Sequence, residues 1–165
     1  MAAFVCRAEA QQTIPKIGVI SIQGAIAGTK EGQKATQELD KKVVPKQREF
    51  ESRQNEIARL QDQYNKGTSV MAEEKRNQAA HEIEDKKKRL ERDMQDSEEE
   101  LRNQQQKMLQ DLLQRMTAVI DKYAKDKGYT IIFDDSSPST PVLYASKTID
   151  ITEDIVALYD QTYSK

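Results

Sequence analysis

Tryptophan is absent from this 165-residue chain, and histidine and cysteine occur once each, as His81 and Cys6. One histidine excludes a paired-histidine dyad or metal centre within a chain. His81 sits in the polar run Ala80-His81-Glu82 and reads as a solvated surface side chain. A single cysteine excludes an internal disulfide and leaves the redox compartment unread. No apolar run approaches the ~20 residues of a membrane-spanning helix. Neither sign of charge dominates: 26 basic and 28 acidic residues give a net charge of −2, no footprint for nucleic acid. Gly-rich phosphate loops, HExxH and CxxC are all missing.

Proline and glycine are scarce, at 4 and 6 residues, and aromatics make up 5%. Apolar residues reach 36%, below the ~45–50% of an ordinary globular domain, so one compact core cannot cover most of the chain. What fills the sequence instead is charge, at 33%, together with Gln, Ala and Leu. These are good helix formers, and the composition reads as long helices washed by solvent.

At the start, Ala2-Ala3-Phe4-Val5-Cys6 is a short apolar stretch, and Ala8-Glu9-Ala10 fits an A-x-A cleavage pattern. Residues 1–10 read as a signal-peptide remnant. Lys16 to Gln23 is short and β-branched and reads as a strand, followed by a short turn or helical piece between Gly24 and Gly28. Thr29 is an N-cap candidate for a helix running to Lys66. Along it Val43, Phe50, Ile57 and Tyr64 recur every seven residues, with Leu39 and Leu60 beside them. Lys46 and Arg53 occupy companion positions, so the stripe is incomplete. Pro45 predicts a kink, or a break into two helices near Val44. Gly67 stops the helix, and Thr68 or Ser69 is expected to cap the next one.

That second helix is expected from Ala72 to Lys127, where Gly128 ends it. Such a length, about 84 Å, cannot fit inside a small globule, so the helix is expected to project. Its apolar residues thicken from Met108 to Ala124, which reads as core. Tyr129 to Asp134 reads as a strand, Asp135 to Pro141 as a loop, and Val142 to Ala145 as a further strand completing a hairpin. Thr152 opens a last helix with Ile155, Val156, Leu158 and Tyr159 facing inward. The fold class is α+β, predominantly α: a long antiparallel helical hairpin inserted into a small β-containing body. The body takes residues 11–28 and 108–165, and the hairpin residues 29–107 with its tip near 67–71.

No constellation of residues speaks for catalysis, and no cofactor or metal is expected. Asp134-Asp135 with Ser136-Ser137 has the composition of a turn that hydrogen-bonds its own backbone. Lys86, Lys87, Lys88 and Arg89 form the one basic run that stands out. Interleaved with Glu82, Glu84, Asp85 and Glu91 it reads as a solvated face, and the sharper alternative is an anion patch for lipid headgroups or an acidic partner. The Met and aromatic residues of the hairpin suit either a helix seam or an adaptable contact surface.

The order of parts resembles the Skp/OmpH-like family of periplasmic chaperones. The likeness rests on Lys16-Ile17-Gly18-Val19-Ile20, Thr29-Lys30-Glu31-Gly32, the Gly67 tip and Lys127-Gly128-Tyr129 leading into Ile131-Ile132-Phe133-Asp134. Leu143-Tyr144-Ala145 and Asp150-Ile151-Thr152-Glu153-Asp154-Ile155 complete it. The resemblance implies a homotrimer in the periplasm whose strands join into one body and whose helical arms surround a cavity. There an ATP-independent holdase would keep unfolded outer-membrane proteins from aggregating. Phe50, Ile57, Leu60, Tyr64, Met71, Ile83, Leu90 and Met94 are the expected client contacts. Val19, Ile131, Phe133, Leu143 and Tyr144 are expected to serve the body and its assembly. Lys86, Lys87, Lys88 and Arg89 are the candidates for lipid or lipopolysaccharide contact. The rival function is a structural coiled-coil adaptor that docks a folded helical partner.

Overall fold

The computed structural model describes residues 14–67, 69–136, 140 and 142–163. The cleavage pattern at residues 1–10 and the capping role of Thr68 lie outside the described residues. In chain order the elements are β1 (Ile17–Ile20), α1 (Ile22–Gly28), α2 (Lys30–Gly67), α3 (Glu73–Lys127), β2 (Ile131–Asp134), a 3-10 turn (Lys147–Ile149) and α4 (Thr152–Tyr163). The fold is α+β and predominantly α, with two long helices between the two strands of a small sheet. The chain divides into two compact units, one of residues 1–30 and 113–165 and the other of residues 31–112.

In the first unit β1 and β2 pair in parallel, Ile17 opposite Ile131 and Ile20 opposite Asp134. Parallel strands need a crossover, and here the crossover is everything between them. The expected strand at Val142–Ala145 does not form. β1 takes β2 on one side and bridges Asp150 on the other, the Ile151 amide donating to the Val19 carbonyl at 2.9 Å. Residues 142–146 carry no regular structure. β-propensity alone does not hold a strand that lacks a partner. β1 also ends earlier than expected, because Ser21 turns the chain. Its hydroxyl accepts from the Gly24 amide at 3.2 Å and caps α1.

The core of this unit joins Val19, Ile20, Ala25 and Ile26 to Met116, Val119 and Tyr123 of α3 and to Ile151, Ile155 and Tyr159 at α4. The spacing 116, 119, 123 is one helical face, and Leu113, at the flank of that face, stays exposed. Thr29 is fully buried, its hydroxyl donating to the Ile26 carbonyl at 2.8 Å. Gly18 lies under the Tyr129 ring, where a Cβ would meet Cε1 at 2.9 Å. Tyr129 stacks on Tyr123 at 5.8 Å between centroids, and Lys16 Nζ sits 4.1 Å over its ring.

α3 is 55 residues long and ends as its sequence demands. Gly128 has φ +71°, the left-handed conformation a glycine adopts without a Cβ penalty. The Tyr129 amide donates to the Ala124 carbonyl and the Gly128 amide to the Lys125 carbonyl, which closes a Schellman turn.

In the second unit α2 runs unbroken through Pro45, so the reading that splits it near Val44 is not adopted. At the other end Ala72, not Ser69, occupies the position before α3, its carbonyl accepting from Arg76 at 3.0 Å. Glu73 and Glu74 fill the first turn, where negative charge meets the positive end of the helix dipole.

Candidate functional site

The second unit is an antiparallel helix pair, and its cross-links show the direction. Lys42 Nζ donates to Gln104 Oε1 at 2.7 Å, Arg53 pairs with Asp93 at 2.7 Å, and Lys86 pairs with Glu56 at 2.9 Å. As the α2 number rises, the α3 number falls. Ile57, Ile83 and Leu90 form the buried cluster of the pair, with Phe50, Leu60 and Tyr64 packed against it. Six of the eight expected contact residues are therefore the seam that holds α2 to α3. Met71 packs against Gly67 at the turn, where a Cβ would come within 2.6 Å of Met71 Cε. Met94 is the one of the eight that stands out, 39% exposed.

The seam is thin enough to leave open grooves beside it. One of about 380 Å³ is floored by Ile57, Ala58, Leu90 and Met94 and edged by Gln61 and Lys87. A second, of about 500 Å³, lies among Val43, Phe50, Met94 and Leu101. Both are apolar at the base and charged at the rim.

The basic run does not make a patch. Adjacent helical residues point in successive directions, and their partners differ accordingly. Lys86 crosses to Glu56, Lys87 Nζ donates to Gln61 Oε1 at 3.0 Å, and Lys88 pairs within α3 to Glu84 at 2.7 Å. The hydrogen bond from Lys86 and its charge hold the Glu56 carboxyl below the usual range. Lys88 does the same to Glu84, and the Glu84 carboxylate raises Lys88 in return. Glu56, Glu84 and Lys88 are exposed and Lys86 is half-buried, so the pairs contribute little to stability. Arg89 is exposed.

In the first unit Ile131 and Phe133 of β2 are 43% and 40% exposed, and Leu143 and Tyr144 are almost wholly so. Val19 is buried in the core. Among the described residues β2 pairs on one side only. Two apolar features thus face solvent together with an unpaired strand edge.

The Asp134-Asp135-Ser136 turn is structural. Asp134 Oδ1 accepts from the Ser136 hydroxyl at 2.6 Å, the Ser136 amide at 3.0 Å and the Ile22 amide at 3.2 Å. Burial opposes its charge, but these hydrogen bonds prevail and hold the carboxyl below the usual range. The contact with Ile22 ties the end of β2 to the first turn of α1. Tyr123 Oη donates to Asp154 Oδ2 at 2.6 Å, and that bond, with burial, pushes the phenol pKa up. His81 is exposed on α3.

Sequence reading passed over Ser97. It is buried and lies seven residues beyond Leu90, itself seven beyond Ile83. Extending that stripe along α3 would have found it, and the next step is Gln104, the partner of Lys42. The α3 stripe thus turns from apolar to polar halfway along the pair.

A family model described as "Outer membrane protein (OmpH-like)" matches residues 16–159. No curated protein matches the chain. A crystal structure of an OmpH-like outer membrane chaperone candidate from Caulobacter crescentus CB15 is similar to this chain, with a TM-score of 0.77 and 18% identity, over 92% of this chain and 88% of that one. At that identity the likeness speaks for the fold. The family match spans most of the chain, and the chain belongs to the OmpH-like outer membrane protein family.

Proposed function

We propose that this chain is an ATP-independent holdase chaperone of the periplasm. It assembles as a homotrimer and keeps unfolded outer-membrane proteins from aggregating in a cavity between its helical arms. The observation that carries this reading is the uneven packing of α2 and α3. Their seam is narrow, and apolar grooves stay open along a charged surface, with Met94 at the edge. Such a surface makes many weak contacts without a defined pocket, which suits partners that have no fixed shape. Membership of the OmpH-like family supports it, as does the likeness to a chaperone candidate. Self-association draws support from Ile131, Phe133, Leu143 and Tyr144, because exposed apolar groups beside an unpaired strand edge mark a surface that takes a partner. Of the basic run, exposed Arg89 is the residue left for lipid or lipopolysaccharide headgroups.

The test is to dilute a denatured outer-membrane barrel into buffer with and without the chain. Light scattering is expected to fall at about one trimer per barrel with no ATP present. Scattering that does not change would overturn the holding function. The mass in solution is expected near three chains, and a monomer would remove the assembly. Recovery of one folded helical partner at fixed stoichiometry, with no unfolded protein held, would replace the holdase by a structural adaptor.

A further inference from the structure

We propose that Met94 is an oxidation site that sets how apolar the grooves of the α2–α3 pair are. The modification is methionine sulfoxide, and the reactant is a peroxide. Met94 stands between two grooves. It lines the one of about 380 Å³ with Ile57 and Leu90, and the one of about 500 Å³ with Val43 and Phe50. Glu91 is the other residue common to both, so Met94 is the apolar one they share. It is 39% exposed. The other methionines among the described residues are less open. Met71 and Met108 are half-buried, and Met116 keeps 1% of its surface in the core of the first unit. Oxidation follows access to the sulfur, so a peroxide meets Met94 first.

The step balances with the peroxide alone. A sulfur lone pair attacks one peroxide oxygen, an S–O bond forms and the O–O bond breaks. The departing oxygen takes the proton from the transferred one and leaves as water. Sulfur is oxidised by two electrons and the peroxide is reduced by two. A flexible apolar side chain becomes a polar one. What this alters is the grooves, not the fold. The seam is Ile57, Ile83 and Leu90 with Phe50, Leu60 and Tyr64 against it, and Met94 is not among them. Donors for the new oxygen line the same grooves: the Gln54 amide in the smaller, and Lys46, Gln47 and Gln95 in the larger. A sulfoxide there finds hydrogen bonds from these groups and from water, and the apolar floor is interrupted at the residue the two grooves share. The consequence for cargo rests on the holdase reading; the oxidation site and its effect on the grooves do not.

The test treats the full chain with hydrogen peroxide, quenches it at intervals with free methionine and digests it with trypsin. Cleavage places Met71, Met94, Met108 and Met116 on separate peptides. Met94 sulfoxide is expected to form several-fold faster than the sulfoxides of Met71 and Met108, and about tenfold faster than that of Met116. Equal rates, or another methionine reacting first, overturn the proposal. Once Met94 has reacted, helix content by circular dichroism should stay unchanged, and binding of the apolar-surface dye anilinonaphthalene sulfonate should fall by roughly a third to a half. Unchanged dye binding, or a loss of helix, overturns the proposal. Met94→Leu has no sulfur here, and the same treatment should leave its dye binding at its own starting level. An equal fall in that variant would place the effect on another methionine and overturn the proposal. Met94→Gln, which is polar without any oxidant, should bind as little dye as the oxidised parent protein, and binding at the untreated level counts against the proposal. Suppression of barrel scattering should fall in step with dye binding. If the untreated chain suppresses no scattering, the holdase reading fails, and the peptide and dye readouts still decide the role of Met94.

Discussion

Tyr159 and Ile155 in the first unit are wholly buried, and Met116 and Ile20 keep 1% of their surface. In the α2–α3 pair no apolar side chain is so enclosed; Ile83, Leu90 and Ile57 keep 5–8%. The two units share the same helix formers but not the same geometry. Residues of β1, α1, α3 and α4 share the core of the first unit, whereas a helix pair can cover each side chain only from one partner helix. Two helices therefore reach near-burial at one stripe and leave both flanks wet. The comparison teaches where stability and adaptability are housed: the first in a converging core, the second in a seam one side chain wide.

The sharpest way to break that comparison is at Tyr159. Tyr159→Ala is expected to destabilise the first unit by ~3–5 kcal/mol, read as a lowered urea midpoint by circular dichroism. Leu90→Ala is expected to cost less, ~2–3 kcal/mol, and to speed amide exchange between Phe50 and Leu90 while leaving Val19 and Ile151 protected. If both variants melted the whole chain equally, the two units would be one cooperative body and the contrast would fail. Gly18→Ala drives a methyl into the Tyr129 ring and is expected to cost ~1–3 kcal/mol, with loss of the Tyr123–Tyr129 stack in near-ultraviolet dichroism.

Asp134 sharpens the comparison by pH. Its carboxyl is held below the usual range in the folded state, so the unfolded chain binds the proton more readily. The contribution is fully present above the ordinary carboxylate pKa and fades as pH falls through the lower folded value. The melting temperature of the parent protein should therefore drop more steeply below about pH 4 than that of Asp134→Asn. Parallel curves would remove Asp134 from the acid response. The smallest effect is expected at Lys88→Ala, whose exposed pair with Glu84 should leave thermal stability within error of the parent protein.

Much of this was legible in the residues, and for local reasons. Gly128 ends α3 because a left-handed backbone is easiest for glycine, and α2 closes at Gly67, its last helical residue. The stripe of Val43, Phe50, Ile57 and Tyr64 marks the paired face because a heptad keeps one side turned to its partner. Strand pairing was less legible. Val142 to Ala145 has strand composition, but β2 pairs with β1, a partner more than a hundred residues away, and composition carries no record of that choice. The client-contact residues show the same limit. A heptad stripe identifies an apolar face, but whether it meets the neighbouring helix or a guest depends on register. For Ile57, Ile83 and Leu90 the neighbouring helix is the answer.

The parallel register of β1 and β2 also sets a clock. Ile17 is made early and Ile131 late, so β1 waits for almost the whole chain before it has a neighbour. Closing a loop of that length costs about 4 kcal/mol in chain entropy. If the helix pair zips first, the Lys42–Gln104 contact removes 62 residues from that loop. The helices then act as a splint that brings the ends of the chain within reach, and refolding of the sheet should follow helix pairing in time.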